Sequence, residues 1–328
     1  MDSVMRTQAL VGRRGTPSVP LTTAAAGARP RARRTSAAGR HAGAETDMHC
    51  ASAFFSAAPE DITARDEARF FGLLKTANNT FKRTEPSRLV KVDAALIASL
   101  AEYRCRIDTV LDLGISSGVT TLELMTALRA TGHPAQMTGT DRSVRAQLVP
   151  LPLGCRALVE PGGHVLQYEV LGRAIRPWER RLDRWTGMRV ARALVEWQLR
   201  EPAMARAASG EGEEVALLTP RLRRSNAFRW HEDDITRRRD SLTGRFDLVR
   251  AANLLNRHYF EPAALRDAVA NAIAYLSGPG AWLLVLRTHG ASDHRGTLFR
   301  MDDTMRLSVV DRYGAGSEVE DLVLEIGG

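Results

Sequence analysis

From about residue 108 onward, apolar residues fall into short runs alternating with helical stripes. Asp108–Leu113, Gln136–Thr140, Phe228–His231, Arg245–Ala251 and Ala281–Arg287 read as strands. Thr120–Thr131, closed by Gly132 and Pro134, and Pro262–Leu276, closed by Ser-Gly-Pro-Gly, read as helices. Such alternation predicts an α/β fold with a doubly wound, mostly parallel sheet. Thr297–Asp302, Met305–Asp311 and Glu320–Ile326 read as further strands with no long helix between them, which predicts an antiparallel edge.

Two stretches stand outside this alternation. Residues 48–107 read as N-terminal helices preceding the sheet, the first starting near Pro59 with Ile62, Phe70, Phe71, Leu73 and Leu74 near a 3.6 period, the second over Val92–Tyr103. Residues 143–227 separate the second and third strands, far more than a crossover needs, and predict an insertion that could cap a substrate site. The insertion begins with a hairpin turning at Pro161-Gly162-Gly163. Its Met188–Ala208 reads as a helix with Val190, Leu194, Trp197 and Met204 on or near one face, and an acidic loop covers 209–214. Residues 108–142 and 228–328 then form the core.

Charge changes this picture little. Of the net +8, the segment 1–47 carries +5, because it holds eight arginines against Asp2, Glu45 and Asp47. That segment is rich in Arg, Ala and Gly, and it reads as disordered. Three readings of it stay open: a spare tail, a transit peptide, or translated sequence upstream of a true start at Met48. The body's modest charge makes nucleic acid a partner that is compatible but not favoured. Lysine occurs only at 75, 82 and 91. Cys50, Cys105 and Cys155 have neither metal-ligand nor disulfide-framework spacing, so a reducing, cytoplasmic compartment is the default. No apolar run reaches the ~20 residues of a membrane-spanning helix.

Candidate chemistry lies at the strand ends. After the first strand comes Asp112-Leu113-Gly114-Ile115-Ser116-Ser117-Gly118. Ligands of open parallel sheets sit at such carboxyl ends, where glycines allow a tight turn and the helix N-terminus favours anionic groups. The spacing is neither the dinucleotide fingerprint nor a phosphate loop. The second strand ends at Asp141-Arg142, where a carboxylate can accept both hydroxyls of a ribose. The third is followed by Asp233-Asp234, which could receive an adenine amino group or cap a helix. The fourth ends near Asn253, at the same sheet edge.

These four segments together resemble the class I S-adenosylmethionine-dependent methyltransferases. The resemblance covers Asp108–Asp141 and Phe228–Ile326. It implies a seven-stranded sheet of that type, with the insertion after the second strand. It also implies S-adenosylmethionine as cofactor, the methionine part cradled by VLDLGISSG, the ribose on Asp141 and the adenine on Asp233 or Asp234. The family's turn is closer to D-x-G-x-G-x-G, so Ser116 is the irregular position. FDLVRAANLLNRHYF is similar to the chemotaxis receptor methyltransferases, but their glutamate-rich helix start is absent, and their substrate is not carried over.

Methyl transfer depends on alignment, and a protonated acceptor also needs a base. His258, just past the fourth strand, is the candidate, with Tyr259 beside it to shape the substrate site. Trp178, Trp185 and Trp197 could line an acceptor site or form the insertion's own core. Arg173, Arg176, Arg180, Arg181 and Arg184 form a basic stretch. The expected acceptor is a small molecule or a protein side chain. One alternative is an RNA methyltransferase, disfavoured because the fourth strand lacks an Asn/Asp-Pro-Pro-Tyr/Phe motif. The other is a non-catalytic cofactor-binding protein, prompted by Ser116.

Overall fold

The computed structural model describes residues 48–328 apart from 83, 181, 182, 184, 186 and 291, so the predicted tail over 1–47 lies outside the described residues. In chain order the elements are α1 (Ala51–Ser56), α2 (Ala64–Leu73), α3 (Val90–Glu102), β1 (Thr109–Leu113), α4 (Val119–Ala130) and β2 (Gln136–Asp141). The insertion holds β3 (Arg145–Pro150), β4 (Arg156–Val159), β5 (Val165–Val170), β6 (Arg173–Ile175), α5 (Met188–Ala208), β7 (Glu213–Ala216) and α6 (Pro220–Arg223). The core resumes with β8 (Phe228–Glu232), β9 (Leu248–Ala252), α7 (Pro262–Ala274), β10 (Trp282–His289), β11 (Asp293–Met301), β12 (Leu307–Tyr313) and α8 (Glu320–Gly327).

The main sheet has seven strands in the order β12-β11-β10-β9-β1-β2-β8. β8, β2, β1, β9 and β10 run parallel, while β11 and β12 are antiparallel additions at the edge. Alternate residues of a strand face opposite sides, so each parallel strand feeds two cores. Val110, Trp282 and Leu284 pack toward α3 and α4, whereas Leu111, Leu113, Leu283 and Val285 pack toward α7 and α8. The strand order reverses between β1 and β9, where open α/β sheets bind ligands at their carboxyl ends.

Three expectations are corrected. Glu320–Ile326 is not a strand: it is helix α8, whose Val323 packs in the same core as α7. The helix expected from Pro59 spans only Ala64–Leu73, opened by a capping box in which Thr63 Oγ1 accepts from Asp66 N and Asp66 Oδ2 accepts from Thr63 N. Beyond it, residues 75–81 form a strap closed by a Lys75–Phe81 bridge. The insertion is more than a hairpin with helices. It is a five-stranded antiparallel sheet, β6-β5-β4-β3-β7, with α5 on one face. Its other face packs on α1 and α2, through Leu148, Leu158 and Leu166 against Phe54, Phe70 and Phe71. Residues 48–107 are therefore split, α1 and α2 belonging with the insertion and α3 with the main sheet. No helix among the described residues is long and apolar enough to cross a membrane.

Candidate functional site

At the carboxyl ends of β1, β2, β8 and β9 lies a cleft of about 420 Å³. Gly114 and Ser116 from the first turn, Asp141 and Arg142 from β2, Asp233 and Asp234 after β8, and Asn253 after β9 all line it. These positions, up to 139 residues apart in the chain, meet because parallel strands end on one side of the sheet.

The turn is held from within. The N–H groups of Gly114 and Ile115 donate to Thr140 O at 2.8 and 3.1 Å, and Ser116 N donates to Asp141 Oδ2 at 2.7 Å. These amides are thus spent on β2 rather than presented to a ligand. Ser116 has φ +54°, and Gly114 and Gly118 also have positive φ. The irregular serine therefore occupies a left-handed position that glycine adopts freely, and its bond to Asp141 offsets part of the strain.

Four residues of the expected cofactor cradle do not reach the cleft. Asp112 is buried in an ion triad: Arg250 Nε and Nη2 donate to it at 2.9 and 2.6 Å, Arg250 Nη1 donates to Asp93 at 3.2 Å, and Thr121 Oγ1 donates to Asp112 at 2.7 Å. Burial pushes the Asp93 carboxyl up to about 6, against the pull of Arg250. Ile115 is buried over Gly139, where an added Cβ would lie 2.6 Å from Ile115 Cδ1. Ser117 is buried, and its carbonyl accepts from Thr219 N. Gly118 caps α4 and packs on Leu222. His258 is exposed and absent from the cleft lining, although Tyr259 and Phe260 are part of it. It therefore lacks the position a base would need.

The acids differ in their surroundings. Asp141 is already engaged: Lys82 Nζ lies 2.9 Å from Oδ1, which also accepts from Ser143 N at 3.1 Å. Asp233 pairs through Oδ1 with Arg239 Nε at 3.0 Å, but its Oδ2 is buried with no hydrogen-bond partner. Asp234 accepts from the N–H and hydroxyl of Thr236 at 3.1 and 2.8 Å. Burial opposes its charge, but these bonds and nearby Arg142 outweigh it and hold the carboxyl below its usual range. Asn253, at φ +59°, accepts from Thr288 N at 2.6 Å, while its Nδ2 is buried and unpartnered. Orphaned polar atoms gathered in one cleft mark a place where a polar ligand fits.

The strap supplies the wall that the sequence reading missed. Thr76, Asn78, Thr80, Phe81, Lys82 and Thr84 line the cleft, as does Arg88, whose Nε is buried without a partner. The insertion holds the strap: Trp178 Nε1 donates to Leu73 O at 2.8 Å, Phe81 meets the Trp178 ring edge-on at 5.0 Å, and Glu160 Oε2 accepts from Ala77 N at 2.9 Å. The one available signal was the rarity of lysine, which made Lys82 worth a partner. Trp185 and Trp197 form neither a substrate wall nor a core, being 88% and 78% exposed. Within the basic stretch, Arg176 pairs with Asp183 and stacks on Trp178, as Arg180 does; Arg181 and Arg184 lie outside the described residues.

No family model matches the chain, and no curated protein matches it. Among solved structures, it is similar to the N-methyltransferase NodS of Bradyrhizobium japonicum WM9 in complex with S-adenosyl-L-homocysteine, at 16% identity over 69% of this chain and 73% of that one, with a TM-score of 0.32. Another is the CMeT domain structure of the citrinin polyketide synthase, at 16% identity over 56% of this chain, with a TM-score of 0.29. There the alignment spans only 30% of the other chain. A third is the [4+2]-cyclase SpnF, at 13% identity over 60% of this chain and 44% of that one, with a TM-score of 0.27. The fold assignment rests on the strand order and direction described above.

Proposed function

We propose that the protein is an S-adenosylmethionine-dependent methyltransferase of the class I type, acting on a small molecule or a protein side chain. The observation that carries this reading is the cleft itself, where four strand ends converge and buried Asp233 Oδ2 and Asn253 Nδ2 lack partners. Asp233 would receive the adenine amino group. Asp141 would meet the ribose: an ionised carboxylate offers about four acceptor sites, of which Lys82, Ser116 N and Ser143 N take three. When bound, the cofactor supplies a sulfonium methyl group for in-line displacement. Phe81, Tyr259 and Phe260 give the cleft an aromatic rim that can align an acceptor.

A second reading is a non-catalytic cofactor-binding protein. Its support is that no histidine or cysteine is among the described residues lining the cleft, where the proton-exchanging groups are Lys82, three aspartates and Tyr259. Titration calorimetry with S-adenosylmethionine and S-adenosylhomocysteine tests both readings at their shared root. Saturable heat is expected, and Asp233→Asn should weaken binding by about tenfold, since leaving a buried polar group unmatched costs on the order of 1–3 kcal/mol. Absence of heat with either compound sinks the proposal. Transfer of labelled methyl to any component of a cell extract separates the enzyme from the binder.

A further inference from the structure

Helix α5 has one face with work assigned and one without. Val195, Leu199 and Ala203 pack inward on the insertion's sheet, with Arg192 buried beside them and paired with Asp183. On the opposite face Val190, Leu194, Trp197 and Met204 are 74%, 53%, 78% and 40% exposed. Of these, Trp197 and Met204 line an open groove along the helix, together with Ala193, Glu196, Arg200 and Ala205. Pro202 lies on the inner, half-buried side and does not interrupt this stripe. A row of apolar side chains that includes a tryptophan is costly to leave in water.

The spacing of the stripe indicates what covers it. Val190, Trp197 and Met204 are seven residues apart, the repeat that keeps a helix seam facing a second helix. Trp197 lies next to the midpoint of α5, with one apolar position a heptad to either side. Val190, Trp197 and Met204 therefore exchange places about a two-fold axis at Trp197, whereas Leu194 falls level with the partner's Arg200. An antiparallel copy centred on Trp197 sets Trp197 against Trp197, and Val190 against the partner's Met204. The charges agree as well. Glu196 and Arg200 flank the tryptophan on opposite sides, so the two-fold brings each Glu196 within about 3 Å, along the helix axis, of the partner's Arg200. That contact occurs twice. Within one chain the same two residues make only a loose pair at 3.7 Å.

We infer that the exposed face of α5 is a homodimer interface, in which two copies pair antiparallel through Val190, Trp197 and Met204. Each Trp197 would remove on the order of 200 Å² from water, and the patch is at the small end of specific interfaces, below about 800 Å² per partner. The dimer is therefore reversible and forms in the micromolar range. This inference does not depend on the methyltransferase reading, because none of these residues lines the cleft.

Sedimentation velocity of the full chain from 1 to 100 μM tests it. The weight-average sedimentation coefficient is expected to rise from monomer toward dimer across that range. Trp197→Glu should remain monomeric at 100 μM with an unchanged thermal midpoint, because the side chain it replaces is exposed. Glu196→Arg or Arg200→Glu alone should weaken association at least fivefold, and the double exchange should restore it. Monomeric wild type at 100 μM overturns the inference, even if it sediments with lipid vesicles or another protein. Undiminished association of Trp197→Glu overturns it too, as does failure of the double exchange to restore what the single exchanges lose.

Discussion

Arg250→Met should reveal how much of the fold depends on one buried charge. Arg250 is fully buried in the middle of β9, where it is the direct register partner of Asp112 on β1, and it also reaches Asp93 on α3. Methionine fills much of the same volume, so the change mainly removes charge. Two buried carboxyls would then lose the cation that both of them bind. Breaking a buried pair from one side costs about 3–5 kcal/mol. An independent count agrees. Raising Asp93 alone from its present value of about 6 adds at most ~1.4 kcal/mol at pH 7, at 1.36 kcal/mol per unit, and Asp112 loses both of its charge-assisted bonds. The sign of the pH dependence follows. A carboxyl raised in the folded state contributes stability that is present at low pH and lost as pH rises through the folded value. In the wild type this makes Asp93 a mild burden above pH 6 that eases toward pH 4. In Arg250→Met the lowering pull of Arg250 on Asp93 is gone, so this part of the deficit should disappear by pH 5. Urea unfolding followed by near-ultraviolet circular dichroism at pH 7 and pH 5 measures both quantities. A loss below about 1 kcal/mol at pH 7, well short of the cost expected for a broken buried pair, or a loss that is the same at pH 5, refutes the reasoning.

Other changes probe separate links. Thr63→Ala removes the Oγ1 acceptor of the α2 capping box while leaving the bond from the backbone N–H at 63 to Asp66, and should cost about 1 kcal/mol, read as a shift in unfolding midpoint. Gly118→Ala places a Cβ 2.6 Å from Leu222 Cδ2 at a position with φ +78°, and a loss of roughly 1–3 kcal/mol is expected from the same measurement. Lys82→Met frees one acceptor site on Asp141, so S-adenosylmethionine binding should tighten, by up to about tenfold given a charge-assisted bond of ~1.5–3 kcal/mol. Weaker binding at an unchanged midpoint would mean that Lys82 orients Asp141 instead. His258→Ala should leave methyl transfer within about threefold of the wild type, since an exposed residue outside the cleft is not placed for proton transfer.

The central parallel strands β1, β9 and β10 could be read from sequence because each is largely buried on both faces and so appears as a nearly continuous apolar run. Helix α5 was legible to its ends, but the stripe read from sequence, Val190, Leu194, Trp197 and Met204, is the exposed one, and Val195, Leu199 and Ala203 face the core instead. The insertion's sheet was not, because β3 pairs with β7 across more than sixty residues, and RAQLVP and EEVA are short, mixed runs with no local signature. EDLVLEIG could serve either as strand or as helix. Packing beside α7 and two acids in the first turn, neither visible as periodicity, make it α8.

The candidate site divides along the same line. Strand-end residues such as Asp141, Asp233 and Asn253 were visible because topology alone brings parallel strand ends together. Asp112 was grouped with the turn because it directly precedes it in sequence, but it is not among the residues lining the cleft. In a strand, residue 112 faces away from Leu111 and Leu113, onto the side that α3 and α4 cover. An arginine inside the apolar run of β9 already demanded a buried acid on a neighbouring strand, and parallel register makes Asp112 its partner. The strap could not be found in this way. Lys82 reaches Asp141 only because α1 and α2 pack on the insertion's sheet, and that packing carries residues 75–84 over the carboxyl ends of the core strands. The insertion therefore reaches the cleft by holding the N-terminal segment against it through Trp178 and Glu160. A substitution at Trp178 should be felt at Lys82 before it is felt in the core.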